Sequence, residues 1–454
     1  MKRASGETRA TAMTDETSAP AKHKLVGYKN FKRHNPLSDR FAMHGFHHVE
    51  FWCGDATTTA SRFAVGLGMQ LIAKSDLSTG NKTYASYVLN SHDLTFVFSA
   101  PSYRPTGTVA DGDDESSTPF SHSPVDMKHF CETHGLGVRA VGVSVDDAFE
   151  AYEKSIANGG KGILPPIELG NGVSIAEVRL YGDVVLRYVS GAVCEKNWMP
   201  NYADATPATK PGFKPLSYGL RRLDHAVGNV HDLLRTVDYI MNFTGMHPFA
   251  EFTAEDVGTI DSGLNSMVLA NNNESVLLPV NEPTFGTKRK SQIQTYLEQN
   301  DGPGLQHLAL KTDDIFETVR LMRQHESGKG GFEFQAPASA EYYANLRERV
   351  GSDALSPEQF AQVQELGLLV DRDDQGVLVQ IFTKPLGDRP TVFIEIIQRV
   401  GCMREKKPAG GGNETENEKE KPEMEQAAGC GGFGKGNFSE LFKTIEQYER
   451  TLKV

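Results

Sequence analysis

Three stretches of this chain each set one metal-capable side chain among aliphatic neighbours: RRLDHAV with His225, GLQHLAL with His307 and TVFIEII with Glu395. Each reads as a β-strand, in which successive side chains alternate faces. His225 then shares a face with Leu223 and Val227, His307 with Leu305 and Ala309, and Glu395 with Phe393 and Ile397. An isolated carboxylate on an apolar face is costly, so Glu395 requires a cation or a donor nearby. Two imidazoles and one carboxylate from three neighbouring strands would form a 2-His-1-carboxylate facial triad, which leaves positions open on Fe(II) for substrate and O2. No cysteine or methionine stands beside these positions, which disfavours a soft-ligand site.

A histidine in a strand is more often a hydrogen-bonded core residue than a ligand, and the argument for ligation comes from repetition. His48 and His225 are separated by 225 − 48 = 177, and the helix-ending pairs Gly68-Met69 and Gly245-Met246 by 245 − 68 = 177 as well. GVRAVGVSVDD (137–147) echoes GLQHLALKTDD (304–314) at 307 − 140 = 167, with Ala140 where the second copy has His307. GDVVLRYVS matches TVFIEIIQR and sets Arg187 against Glu395. The chain therefore reads as a duplicated unit of about 170 residues, each copy holding a strand–helix–strands motif twice. One copy keeps all three ligands and the other only His48, which suggests a catalytic half and a vestigial half without metal.

The elements that must hold these residues follow from the rest of the pattern. Amphipathic helices are expected at DATTTASRFAVGLG and HDLLRTVDYIMNFTG. The expected organisation is a disordered tail over 1–25, a first domain over 26–200, a linker over 201–216 and a second domain over 217–454. Residues 404–428, acidic and nearly free of apolar side chains, are expected to form a mobile loop. A glycine-rich GCGGFGKGNFSELF then leads into a terminal helix over 437–452, with Asn437 or Ser439 as its N-cap.

With 454 residues, 39% of them hydrophobic, and a mean hydropathy of −0.41, the chain fits a soluble two-domain protein. A net charge of −12 argues against a nucleic-acid surface, and no apolar run is long enough to span a bilayer. Five scattered cysteines without CxxC spacing argue against a disulfide framework and suggest a reducing, cytoplasmic compartment. The N-terminal stretch lacks the apolar run of a secretory signal.

The segments LDHAVGNV, GPGLQHLALKTDDI, VLVQIFTKPLGDRPTVFIEIIQRVG and GCGGFGKGNFSELF resemble the 4-hydroxyphenylpyruvate dioxygenase family, most closely its plant and algal branch, from about Val26 to Leu452. The resemblance implies an α+β fold of two tandem vicinal-oxygen-chelate modules (βαβββ), each an open β-barrel, with Fe(II) on His225, His307 and Glu395. It implies a substrate pocket of Ser266, Asn281, Gln292, Gln306, Gln380, Phe382, Phe393, Phe433, Phe438 and Phe442, with Gln292, Gln380 and Phe433 closest to catalysis. Strand parity alone points Gln306 away from His307, and phenylalanines alone would read as core. The implied reaction converts 4-hydroxyphenylpyruvate and O2 to homogentisate and CO2 in tyrosine catabolism, under a lid formed by Phe433 and the terminal helix, in a homodimer.

The alternatives are a 4-hydroxymandelate synthase, which hydroxylates the benzylic carbon of the same substrate, and an extradiol ring-cleaving dioxygenase. A glyoxalase-type isomerase would use four protein ligands, and only three fall into register. A non-catalytic module of the same fold would have no need of all three.

Overall fold

The computed structural model describes residues 23–102, 118–191, 197–206, 215–258, 263–286, 288–326, 328–405 and 424–451. The first half supplies β1 (Met43–Trp52), β2 (Gln70–Ser75), β3 (Tyr84–Ser91), β4 (Leu94–Pro101), β5 (Gly137–Val145), β6 (Gly162–Gly170), β7 (Val173–Tyr181) and β8 (Val184–Ser190), with a short β9 (Ala203–Asp204). They form one sheet in the order β6-β7-β8-β5-β1-β4-β3-β2-β9. The second half supplies β10 (Leu220–Asn229), β11 (His247–Phe252), β12 (Leu264–Ala270), β13 (Leu277–Pro283), β14 (Gly304–Thr312), β15 (Leu369–Arg372), β16 (Gly376–Phe382) and β17 (Phe393–Gly401). Their order is β11-β12-β13-β10-β14-β17-β16-β15.

The two sheets are built alike. In the first, β1 runs antiparallel to β5, and these pair in parallel with β4 and β8. In the second, β10 runs antiparallel to β14, and these pair in parallel with β13 and β17. Each half is thus two βαβββ units sharing one sheet, an α+β arrangement of two half-barrels. The first helix of each half, Ala56–Leu67 or Leu233–Thr244, starts on an aspartate N-cap whose side chain accepts a backbone N–H. Asp55 and Asp232 lie 232 − 55 = 177 apart, in the register of the glycines. Those glycines close the helices with left-handed backbone, φ 64° at Gly68 and 82° at Gly245. At Gly245 even a methyl would meet the Ser38 carbonyl at 2.2 Å.

The β10–β14 ladder carries two register shifts beside the candidate ligands. Leu223 pairs with Leu310 and His225 with Ala309, so Asp224 is an extra residue in β10. Val227 pairs with His307 and Gly228 with Leu305, so Gln306 is an extra residue in β14. Such bulges redirect the side chain that is left unpaired. The β1–β5 ladder repeats both, around His47 and Arg139, at 224 − 47 = 177 and 306 − 139 = 167.

Several boundaries differ from expectation. Residues 23–40, assigned by sequence partly to the first domain, pack on the second: Gly27 N–H donates to Glu251, Tyr28 N–H to Asp256, and Asp39 exchanges hydrogen bonds with Asn272. These contacts are backbone-to-side-chain and leave no periodic trace in the sequence. Ala203–Asp204, expected in the linker, adds an edge strand to β2. The stretch inserted before β15 folds into helices Ala340–Ala344, Leu346–Val350 and Pro357–Glu365. The ends of the acidic loop pair as β18 (Met403–Glu405) and β19 (Met424–Gln426), while 406–423 lie outside the described residues, as do 207–214 of the linker and 1–22 of the tail. The terminal helix spans Phe438–Glu449.

The cysteine reading also needs correction, because Cys402 and Cys430 are joined as a disulfide. Their separation of 28 residues gives no motif. The chain brings them together only because the ladder of β18 and β19 folds the segment after β17 back on itself. Cys53 and Cys131 are free.

Candidate metal centre

His225 lies in the middle of β10, His307 on the adjacent β14 and Glu395 on the strand beyond, β17. Register sets them at one level, since His225 faces Ala309 and Ala309 faces Glu395 across the ladders. The Glu395 Oε2 lies 3.2 Å from His225 Nε2 and 3.4 Å from His307 Nε2. One potential ligand atom from each residue lies within 4.8 Å of the others, and no other such group of three occurs among the described residues.

Both imidazoles turn their Nδ1 away from this point. His225 Nδ1 lies 2.9 Å from Asp224 Oδ1, and His307 Nδ1 lies 2.9 Å from the Gln306 side-chain oxygen. A carboxylate only accepts hydrogen bonds, so His225 carries its proton on Nδ1 and leaves the Nε2 lone pair for a cation. The bulges at Asp224 and Gln306 explain how neighbours in sequence reach the same side as the histidines. Parity put Gln306 on the far face, and the extra residue in β14 overturns that expectation.

The electrostatics suit a cation. Burial alone would raise the Glu395 carboxyl, but hydrogen bonds and charge from His225 and His307 hold it down at about 2. Burial pulls the His225 imidazole down too, yet Asp224 and Glu395 outweigh it and leave it raised. His307 is lowered, chiefly by burial. A donor set of two imidazoles and one ionised carboxylate fits Fe(II) of the facial-triad class.

A cavity opens above the three residues. All ten expected pocket residues, Ser266, Asn281, Gln292, Gln306, Gln380, Phe382, Phe393, Phe433, Phe438 and Phe442, line it together with the triad. Phe393 stacks on His307 with centroids 4.9 Å apart, and Phe433 meets His225 edge-on at 5.3 Å. The helix Phe438–Glu449 forms part of the cavity wall through Phe438, Leu441, Phe442 and Ile445, and Phe442 belongs to one buried cluster with Phe249, Phe252, Leu264 and Ile293. Gly434, with φ 73°, passes so close to Gln380 that a Cβ would meet its Oε1 at 2.3 Å.

Sequence reasoning missed other lining residues, among them Phe252, Leu264 and Asn437. Asn437 does stand at the N-cap, but its side chain makes no capping bond. It accepts from the Tyr342 hydroxyl at 2.7 Å and donates to Gln380 at 3.4 Å instead. Its place in the GKGN run was the available signal.

A scan against protein-family models returns no match. Whole-chain similarity decides the matter. The 4-hydroxyphenylpyruvate dioxygenase of Daucus carota is 56% identical over 448 residues, covering 99% of this chain and 97% of the relative. The chain belongs to the 4-hydroxyphenylpyruvate dioxygenase family. The dioxygenases of Plectranthus scutellarioides and Arabidopsis thaliana agree, at 57% and 56% identity over 96% and 95% of this chain, and over 95% and 94% of the relatives. Among solved structures, a mutant 4-hydroxymandelate synthase from Streptomyces coelicolor shares the fold with TM-score 0.67 at 22% identity, over 90% of this chain and 99% of that one. This chain therefore shares its tandem half-barrel fold with that synthase.

Proposed function

We propose that the chain converts 4-hydroxyphenylpyruvate and O2 to homogentisate and CO2, using Fe(II) held by His225, His307 and Glu395. The observation that carries this reading is the convergence of those three ligand groups on the floor of one phenylalanine-lined cavity. Atoms balance: of the two oxygen atoms, one enters the new carboxylate and one the ring. When bound, Fe(II) supplies the open positions and the one-electron chemistry that O2 requires.

The remaining work falls to the chain's own side chains. Phe382 and Phe393, with centroids 6.1 Å apart and planes 71° to one another, form an apolar corner against which the substrate ring packs. Ser266, Asn281, Gln292 and Gln306 supply the polar groups that orient the phenol, and Gln380 adds a further amide to the same wall. Asn281 is itself held by Asn229, its amide donating at 3.3 Å. Phe433, Phe438 and Phe442 exclude water from the reacting atoms. Orientation of this kind decides whether oxygen reaches the ring or the benzylic carbon.

The first domain serves as a scaffold in this reading, and the enzyme is a homodimer; no helix among the described residues is long and apolar enough to cross a membrane. The deciding experiment loads the purified protein with Fe(II) without oxygen, adds 4-hydroxyphenylpyruvate and O2, and identifies the product. Homogentisate with one CO2 per O2 is expected. 4-Hydroxymandelate, a ring-opened product or no O2 uptake overturns the assignment.

A further inference from the structure

Asp224, which holds His225 Nδ1, is itself held by Arg399, and neither residue lines the cavity. Asp224 is 2% exposed and Arg399 is 4% exposed. Arg399 holds Asp224 with a two-pronged grip, Nη2 to Oδ1 at 2.7 Å and Nε to Oδ2 at 3.0 Å. Its other terminal nitrogen, Nη1, donates to the carbonyls of Cys430 and Gly432 at 2.6 and 2.7 Å. The guanidinium lies 5.6 Å from the centroid of the Phe433 ring, and that ring packs against His225. The contacts therefore close a circuit from His225 through Asp224, Arg399 and the Cys430–Gly432 backbone to Phe433 and back to His225.

We propose that Asp224 and Arg399 are positioning residues that couple the metal ligand His225 to the glycine-rich segment carrying Phe433. The proposal rests on the reading of His225 as a ligand. A buried ion pair is a poor source of net stability, because desolvation offsets the attraction. What this one supplies is geometry. Asp224 fixes the ring and tautomer of His225, and a carboxylate on the far nitrogen makes an imidazole a better ligand. Arg399 fixes Asp224, and its planar fork matches a carboxylate in a way that lysine cannot. The same guanidinium pins two carbonyls of the segment, whose Cys430 is tied by disulfide to Cys402, three residues beyond Arg399. The Arg399 carbonyl in turn accepts from the Gln426 amide at 2.8 Å.

The duplication supplies an internal control. The positions matching Asp224 and Arg399 in the first half are His47 and Gly191, since 224 − 47 = 177 and 399 − 191 = 208 = 395 − 187. The half that lacks the ligand set lacks this pair too.

The test uses Co(II) as the probe, with affinity read from its electronic absorption and hydrogen exchange measured over residues 429–437 with and without Co(II). Wild-type protein is expected to bind Co(II) and to slow exchange in that segment when it does. Asp224→Asn should weaken Co(II) binding about 10- to 100-fold and shift its absorption bands. Arg399→Lys should weaken Co(II) binding and remove most of the metal-dependent protection. Because either change can leave a buried charge unpaired, the neutral pair Asp224→Asn/Arg399→Gln is made as well, and the same weakening and lost protection are expected of it. If these variants keep wild-type affinity and wild-type protection, the coupling is wrong. If wild-type protein binds no Co(II), or His225→Ala binds it equally well, the metal-centre reading itself fails and the coupling with it.

Discussion

His225, His307 and Glu395 present a problem of competition between protons and metal. Glu395 is ionised down to about 2, so it offers its charge throughout the working range. His307 is lowered, chiefly by burial, whereas His225 is raised, with Asp224 and Glu395 outweighing burial. A protonated imidazole cannot ligate, so metal must displace the proton from His225. Below the raised pKa, metal affinity should therefore fall about tenfold per pH unit, one proton being released per metal bound. Titration of the wild-type protein with Co(II) between pH 5.5 and 8 checks the slope. His307→Ala should lose metal and activity together, and retention of both would be incompatible with the triad. The three candidate ligands stood out in sequence because each is an oddity on an apolar face and the first copy lacks two of them. Their orienting partners did not. Asp224 and Gln306 reach the same side only through bulges, and a strict two-residue period hides a bulge.

At the scale of elements, the terminal helix docks on the cavity wall through its phenylalanines. Phe442 is 1% exposed and packs with Phe249, Phe252, Leu264 and Ile293, while Phe438 meets Phe252 at 5.7 Å and Phe442 at 5.8 Å. Phe442→Ala should cost the docked helix about 3 kcal/mol or more, against little change in the sheet that carries the ligands. The expected result is wild-type Co(II) affinity, faster hydrogen exchange in 438–449, and O2 consumed in excess of homogentisate formed. Coupled turnover in the variant would show that the helix does not guard the reaction. The helix itself could be read from the four-residue spacing of Phe438 and Phe442. What it packs against could not, because Phe252, Leu264 and Ile293 come from segments far away in sequence.

Over the whole molecule, the duplication explains both what was legible and what the first half now does. The histidines and the closing glycines repeat at one offset, so a duplicated unit could be inferred before any contact was known, while its barrel form came from the family resemblance. The 23–40 segment crossing onto the second half could not, since it follows no repeat. In the first half, Arg187 takes the place that a metal would hold on the surviving histidine: its Nη1 donates to His48 Nε2 at 2.9 Å. His48 then donates from Nδ1 to His47 Nδ1 at 2.8 Å, keeping the proton where His225 keeps its own. The same guanidinium pairs with Glu50 at 2.6 Å and Glu177 at 2.7 Å, and His122 joins Glu50 at 2.7 Å. Arg187 and Glu50 are fully buried. Arg187→Met removes the central cation and leaves Glu50 with His122 and Glu177 with Arg139 at 4.0 Å, which should cost about 3–5 kcal/mol and lower the melting temperature by about 10 °C. The loss should localise, with β1, β5 and β8 exchanging amide hydrogens faster while Co(II) affinity in the cold stays within about twofold of wild type, as distant sites act independently. Adding Glu50→Gln and Glu177→Gln should recover part of the stability by neutralising the two carboxylates. If Arg187→Met instead melts like wild type, the guanidinium is not what holds the first sheet together where its sister would hold a metal.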